Sequence, residues 1–347
     1  MYKFPMAPAA HPLEAYLHDA RSLVLQELTQ QLPPDTVWTG RLYERMLDYP
    51  MRAAKALRPA LCIASCRALG GALGSVLPTA ASLELFHNAF LIHDDVEDGS
   101  ELRRGAPTLS RDLGVPIAVN VGDGMLAMAL RPLLGNARVL GVQRGLMLME
   151  RVVEMAQRSA EGQALELEWI RTGSWAVSER DYLRMVYLKT AFYSFITPVR
   201  CGAIAANQAA KELGLSRFAA LLGIAFQIQD DVLNLQSRPK YGKEEAGDLW
   251  EGKRTLILLH ALRHMSEATR ARAVAVLNLS REQKREEDIS FLREQIQSHR
   301  SLEYARDIAL QHAARARRLL RKEFGEGEDV HRLFLTDLVN YVVGRDW

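Results

Sequence analysis

The sequence predicts an all-α fold, a large helical bundle, and three observations predict it. Apolar residues recur three and four apart through most of the 347 residues, the spacing of a helix face. Alternating β-branched runs bounded by turn residues are nearly absent. Punctuation falls at Pro33-Pro34, Gly70-Gly71, Gly99 to Pro107, Gly114 to Pro116, Gly173-Ser174, Gly214 and Ser237 to Gly252, leaving helices of about 15 to 30 residues. No short fixed repeat is present, which excludes a solenoid. Residues 1–12, with three prolines, read as a tail, and 13–347 as one domain. A chain this long buries roughly 75% of its unfolded surface, so it needs no disulfide framework. Cys62, Cys66 and Cys201 are expected as buried thiols in a reducing compartment.

Composition narrows the function classes. Lys and Arg total 44 against 42 Asp and Glu, a formal charge of +2, which excludes a dominant attraction to nucleic acid. The tail lacks the apolar core of a secretory signal, and no run approaches the ~20 uninterrupted apolar residues of a membrane span. A cytoplasmic protein without an integral membrane segment is expected. The segment Ile308 to Glu323, carrying Arg315, Arg317, Arg318, Arg321 and Lys322, reads as a basic amphipathic helix with a solvated outer face.

Two helices carry chemistry at their C-terminal ends. The first, Leu77 to Asp98, has an apolar stripe of Leu83, Phe86, Phe90 and Leu91 and closes on Leu91-Ile-His-Asp-Asp-Val-Glu-Asp98. Asp94 and Asp98, four apart, return to one face about 6 Å further along, with Asp95 beside them. Carboxylates at a helix C-terminus oppose the helix dipole, so they cost stability unless a cation offsets them. Oxygen-only ligands suit Mg²⁺, which takes one or two carboxylates and completes its shell with phosphate oxygens. The second helix, Ser216 to Leu235, is apolar nearly all round and must be central. It ends in Phe226-Gln-Ile-Gln-Asp-Asp-Val-Leu-Asn234, where Gln227, Asp230, Asp231 and Asn234 share a face. Two such ends could clamp a diphosphate through metal ions from opposite sides and neutralise it as a leaving group.

A diphosphate also needs Lys and Arg where metal does not reach. Four clusters supply them: Lys55 and Arg58; Arg103 and Arg104; Lys189-Thr190; and Lys243 and Lys253 around Asp248.

With these residues in hand, the sequence resembles a family. IHDDVEDGSELRRGAPT (Ile92 to Thr108) is similar to the first aspartate-rich region of the trans-isoprenyl (polyprenyl) diphosphate synthases, and FQIQDDVLN to the second. KALRP, His87 seven residues before Asp94, Lys189-Thr190 and YGKEEAGDLWEGK follow the family's order. The resemblance points to the short-chain, geranylgeranyl or farnesyl diphosphate synthase-like members. It implies an all-helical domain around a central cavity, a homodimer, and Mg-dependent head-to-tail condensation of isopentenyl diphosphate with an allylic diphosphate. It implies that Asp94, Asp95 and Asp98 hold two Mg²⁺ and that Asp230, with Asp231 beside it, serves a third. Arg103, Lys189, Lys243 and Lys253 would grip the allylic diphosphate. Lys55, Arg58, His87 and Arg104 would form a metal-free cationic pocket for isopentenyl diphosphate, and Thr190 and Gln227 would face the reacting carbons. Ionisation, condensation and proton loss to the released diphosphate would follow.

The sequence departs from the family's pattern at Ala53-Ala54, where Gly-Gly is usual; a Cβ there could hinder close backbone approach. Asn234 replaces a third Asp, and its amide oxygen could still reach a metal-bound water. Relative to Asp94 the fifth position back is Ala89, which leaves the space beneath the metals open, while Phe90 and Phe86 could narrow it. A C20 product is expected ahead of C15. Other classes are a class I terpene cyclase, which can discard the pocket of Lys55, Arg58, His87 and Arg104, and a non-catalytic partner subunit, which typically loses an aspartate motif. A metal phosphohydrolase built on His93-Asp94 would need a second histidine better placed than His87.

Overall fold

The computed structural model describes residues 12–236, 246–325 and 327–344. Helices run in the order α1 (Pro12–Gln31), α2 (Leu42–Met51), α3 (Leu57–Ala68), α4 (Leu73–Glu97), α5 (Leu109–Leu113), α6 (Val115–Leu140), α7 (Val142–Arg171), α8 (Glu179–Val186), a π-helix (Tyr187–Ile196), α9 (Thr197–Ala205), α10 (Glu212–Gln236), α11 (Gly247–Glu251), α12 (Leu256–His264), α13 (Glu267–Leu277), α14 (Glu286–Ser298), α15 (Ser301–Phe324) and α16 (Val330–Gly344). Among the described residues the strands are β1 (Leu102–Arg103) and β2 (Ala106–Pro107), paired antiparallel between α4 and α5. The all-α expectation holds.

Both acid-tipped helices begin earlier than the sequence suggests, at Leu73 and Glu212 rather than Leu77 and Ser216. The reason is the same twice. Gly74 and Gly214 each lie in a first turn, where N–H groups have no helical partner to lose and glycine weakens little. Gly70, in contrast, is a true stop, with φ +84°.

The chain divides into two compact units. The first holds Met1–Glu154, Ser194–Ser216 and Leu320–Leu338. Its spine is α4, buried at nearly every position from Val76 to Ala89 and packed chiefly on α6, with α3 and α9 also against it. Helix α6 is long and apolar enough to cross a membrane by length and composition; it packs on α4 and carries Asp123 and Arg131. The three cysteines are free and buried, as expected; burial pushes Cys66 and Cys201 up to about 12, so neither is a ready thiolate.

The second unit holds Met155–Tyr193, Arg217–Leu319 and Val339–Trp347. Its core gathers Tyr182, Ile228, Val232, Leu249, Leu256 to Leu259, Ile289 and Leu292. The outer face of α15 is solvated as predicted, with Arg315, Arg318, Arg321 and Lys322 exposed.

Candidate active site

In the first unit α4 delivers its acids in two ways. Asp94 stays partly open, its side chain 28% exposed, and Asp98, the C-cap residue, is half-buried. Asp95 turns inward and is 1% exposed. The Tyr49 hydroxyl donates to Asp95 Oδ2 at 2.6 Å, and Arg103 Nε donates to Oδ1 at 2.9 Å, with Arg103 Nη2 closing the ion pair. The same guanidinium reaches to 3.8 Å from Asp94. Burial lifts the Tyr49 hydroxyl, and the bond to Asp95 lifts it further, so it remains a donor.

The hairpin that follows places the arginines. Arg104 and Gly105, its two-residue turn, have φ +56° and +77°, the mirror-image geometry that suits a tight hairpin. Arginine in the left-handed region costs on the order of 1 kcal/mol, and the bond from Arg104 Nη1 to the Tyr49 carbonyl, 2.8 Å, offsets it. Arg52, which sequence reasoning missed, lies 4.5 Å over the Tyr49 ring and donates to the carbonyls of Arg103 and Pro107 at 3.0 and 2.8 Å.

Behind this hairpin Arg58 Nη1 meets His87 Nε2 at 3.1 Å, and Nη2 donates to Ser194 Oγ at 2.7 Å. A guanidinium only donates, so His87 Nε2 accepts and its proton sits on Nδ1. Burial, then Arg58 and Arg104, hold His87 well below the usual histidine range. His87 therefore adds no charge: Arg58, Arg104 and the exposed Lys55 carry it. Ala53 and Ala54 sit outside the left-handed region; in that loop Ala56 takes it, with φ +48°. The local backbone thus accommodates both alanines without the conformational freedom of Gly-Gly. His93 points elsewhere, 3.4 Å from Asp123, over Gly122, where a Cβ would lie 2.3 Å from its Nε2. The two histidines do not converge, which removes the phosphohydrolase alternative.

In the second unit α10 repeats the division of labour. Asp230 is half-buried, while Asp231 is 6% exposed. The Tyr182 hydroxyl donates to Asp231 Oδ2 at 2.7 Å, Gln227 Nε2 donates to Oδ1 at 2.8 Å, and Thr190 Oγ1 donates to Gln227 Oε1 at 2.7 Å. Thr190, Gln227 and Asp231 thus form one hydrogen-bonded chain. Burial, and then the charge of Asp248, push Asp231 well above the usual carboxylate range. Asn234 is occupied locally, its Oδ1 accepting the Asp248 N–H at 3.1 Å.

Lys189 and Thr190 lie at the start of the ten-residue π-helix, a rare backbone form that recurs at functional sites. A Cβ on Gly162 would come within 2.5 Å of Lys189 N, so this close approach of α7 requires glycine. Lys189 Nζ pairs with Glu166 Oε2 at 2.5 Å, and Lys253 Nζ with Glu251 Oε2 at 2.7 Å. Lys243 lies outside the described residues. Sequence reasoning missed Tyr49, Tyr182, Glu166 and the proximity of Asp248 to Asp231, because each partner is remote in the chain and no spacing rule links them.

The donors fit magnesium. Among the described residues no three His, Cys, Asp or Glu side chains already converge as a closed metal cage, and Mg²⁺ asks for none. It takes one or two carboxylates and keeps its remaining positions for water and phosphate. Asp94, Asp98 and Asp230, the partly open acids, offer that kind of ligand.

The polyprenyl synthetase family profile matches residues 40–296. A short chain isoprenyl diphosphate synthase of Methanothermobacter thermautotrophicus is 32% identical over 324 residues, covering 93% of this chain and 94% of that one. The crystal structure of a geranylgeranyl pyrophosphate synthetase from Pyrococcus horikoshii superposes with a TM-score of 0.84 at 28% identity, covering 96% of this chain and 98% of that one. A geranylgeranyl pyrophosphate synthase from Corynebacterium glutamicum, solved with isoprenyl diphosphate and magnesium, gives 0.81 at 26% identity, with 95% and 99% covered. The chain therefore belongs to the polyprenyl synthetase family, and it is a prenyltransferase of the trans-prenyl diphosphate synthase type that elongates prenyl chains with a divalent metal.

Proposed function

We propose that this enzyme, with residues 13–347 acting as one catalytic domain, joins isopentenyl diphosphate head-to-tail to an allylic diphosphate to give an all-trans product, C20 ahead of C15. The observation that carries the reading is the basic pair Arg58 and Arg104 beside neutral His87, with Lys55 three residues before Arg58 in the chain. A cyclase has no use for a second diphosphate pocket, and a non-catalytic subunit has no use for it together with two intact acid sets. The relative's description as a short-chain synthase supports the length class. Ala89, fully buried, adds no bulk beneath Asp94, while Phe86 and Phe90 pair edge to face with centroids 6.0 Å apart.

Asp94, Asp95 and Asp98, together with Asp230 and Asp231, are the acids we assign to about three magnesium ions. When bound, the metal neutralises the diphosphate as its bond to carbon breaks. Asp94, Asp98 and Asp230 provide the direct oxygens, while Asp95 and Asp231 are held by Tyr49 and Tyr182 and fix the backbone from which their neighbours project. Arg103, Lys189, Lys253 and Lys243 are assigned to the allylic diphosphate. Glu166 and Glu251 keep two of those lysines in place before substrate arrives. Lys55, Arg58 and Arg104 are assigned to isopentenyl diphosphate, with His87 Nε2 orienting Arg58. The Thr190 hydroxyl and Gln227 amide supply dipoles for the allylic cation, and the released diphosphate takes the proton.

A cytoplasmic homodimer completes the reading. Leu134, Val139, Val142, Leu146 and Val153 are each more than half exposed along α6 and the first half of α7, an apolar row that a second copy would cover.

The test is a magnesium-dependent assay with labelled isopentenyl diphosphate and a C10 or C15 allylic primer, with products identified by mass. A C20 diphosphate supports the reading. Diphosphate release without chain extension indicates a cyclase, and neither indicates a binding subunit.

A further inference from the structure

Two residues, Lys253 and Arg254, join the C-cap of α11, Gly252, to the N-cap of α12, Thr255. Lys253 stays partly open, its side chain 22% exposed. Arg254 is 3% exposed, and the mechanism above leaves it unused. Its guanidinium is committed to backbone carbonyls. Nη1 donates to Gly252 O at 2.7 Å, Nη2 to Trp169 O at 2.7 Å and Nε to Ser174 O at 3.0 Å, while the Trp175 ring centroid lies 4.3 Å from Cζ. Burial lowers Arg254 to about 10, so it remains a cation at neutral pH.

A buried guanidinium is costly unless its donors find acceptors, and these three acceptors come from three parts of the chain. Trp169 belongs to the last turn of α7, where carbonyls lack helical partners and a cation is favoured. Ser174 lies in the loop after α7. Asn278 braces that loop, accepting from Trp175 Nε1 at 2.8 Å and donating to Gly173 O at 3.2 Å. Gly252 precedes Lys253 with φ +68°, and a Cβ there would lie 2.6 Å from Leu277 O. A second buried cation, Lys284, fastens the same turn to the chain after α13, donating to Trp250 O at 2.7 Å and Leu279 O at 2.9 Å. Arg254 fastens it to α7. One turn before Trp169, Glu166 pairs with Lys189 Nζ at 2.5 Å. The same arginine therefore joins the turn that bears Lys253 to the helix that holds Lys189. A planar fork of N–H groups sets several carbonyls at fixed separations, which a single ammonium cannot do.

We propose that Arg254 is a positioning residue for the allylic diphosphate: by clasping the carbonyls of Trp169, Ser174 and Gly252 it fixes where Lys253 stands relative to the end of α7, and so to Lys189. The proposal rests on the assignment of these two lysines to the allylic diphosphate. It goes beyond that assignment by naming what sets their separation.

Arg254→Lys keeps the charge without the fork, and Arg254→Met removes both while filling much of the space. Steady-state kinetics of the full chain, varying each substrate in turn at saturating magnesium, should show KM for the allylic diphosphate raised about fivefold in Arg254→Lys and about tenfold in Arg254→Met, with KM for isopentenyl diphosphate within about twofold. A double substitution tests whether the effect passes through Lys253. In a Lys253→Ala background Arg254→Lys should raise the allylic KM by less than about twofold, because the side chain it positions is gone, whereas independent damage would multiply. The proposal is overturned if Arg254→Lys leaves the allylic KM unchanged, if both KM values rise together, or if the two substitutions multiply. Should Arg254→Met fail to fold, the Lys variant and its double substitution decide. An unchanged allylic KM in Lys253→Ala would overturn the assignment of that lysine and this inference with it. A raised KM in Lys253→Ala beside an unaffected Arg254→Lys overturns this inference alone.

Discussion

The C-terminal ends of α4 and α10 use the same device with different electrostatics. Each presents an Asp-Asp pair whose first member is partly open and whose second is buried and receives a tyrosine hydroxyl, from Tyr49 at 2.6 Å or Tyr182 at 2.7 Å. Beyond that the two diverge. Asp95 is paired with the Arg103 guanidinium. Asp231 has an amide from Gln227, and the nearest charges acting on it include Asp248 and Asp230, both of which push it up. The α4 end is balanced by the protein itself, whereas at the α10 end burial and the neighbouring acids favour a protonated Asp231, a bias that an added cation would oppose. Buried pairs are costly to break from one side, so the difference should be measurable.

The largest effect should come from the open acids. Asp94→Ala and Asp230→Ala are each expected to lower kcat for condensation about 10³-fold or more, roughly 4 kcal/mol of barrier, with far-ultraviolet circular dichroism unchanged. Near-normal rates in either variant would show that its helix end is not a metal site. Next in size is Arg103→Gln. It leaves Asp95 buried and without its cation, which should cost about 3 to 5 kcal/mol of stability by urea unfolding. Gln227→Leu removes an uncharged amide from Asp231, together with the acceptor of the Thr190 hydroxyl, and should cost less. Equal losses would break the contrast between the two ends.

These contrasts were only half legible in the sequence. The open acids and the arginines could be read because they sit four to ten residues from one another, within reach of helical spacing rules. The buried halves could not. Tyr49 meets Asp95 from 46 residues away and Tyr182 meets Asp231 from 49, and a tyrosine in an apolar helix face looks the same whether or not its hydroxyl has a carboxylate. The resemblance puts His87 in a cationic pocket, whereas its burial beside Arg58 makes it neutral. The π-helix around Lys189 has no hydrophobic period to announce it. The helical class itself was plain, and both early helix starts followed from treating a first-turn glycine as a breaker.

Acid sharpens the comparison of the two units. In the first, burial holds His331 down to about 4 and its Nδ1 bonds the Tyr16 hydroxyl at 2.9 Å; His87 is shifted the same way. A histidine lowered in the fold stabilises it fully above its ordinary value near 6.5, and that stability is lost as pH falls toward about 4. For His331 this amounts to about 3 kcal/mol. Asp231 in the second unit has the opposite sign, because its raised value favours the protonated form in the fold and stability is lost as pH rises. Amide exchange of the metal-free protein at pH 5 should therefore show α1 losing protection relative to pH 7.5 before α8 does. Simultaneous loss would remove the distinction.

The smallest expected effect tests the shared device directly, by taking away each tyrosine hydroxyl. Tyr49→Phe removes the donor to Asp95 Oδ2 and also the acceptor of the Leu109 N–H, 3.3 Å away, so two buried polar groups lose a partner at once. Arg103 stays paired with Asp95 in this variant. A loss of about 2 to 3 kcal/mol is expected. Tyr182→Phe strips one bond from Asp231, a carboxyl already inclined to protonate and still held by Gln227. Protonation would spare it the penalty of a bare buried charge, so about 1 to 2 kcal/mol is expected. Urea unfolding of the metal-free variants at pH 7 measures both. If Tyr182→Phe proves the more damaging, then Asp231 is ionised in the folded protein even without a cation to meet it.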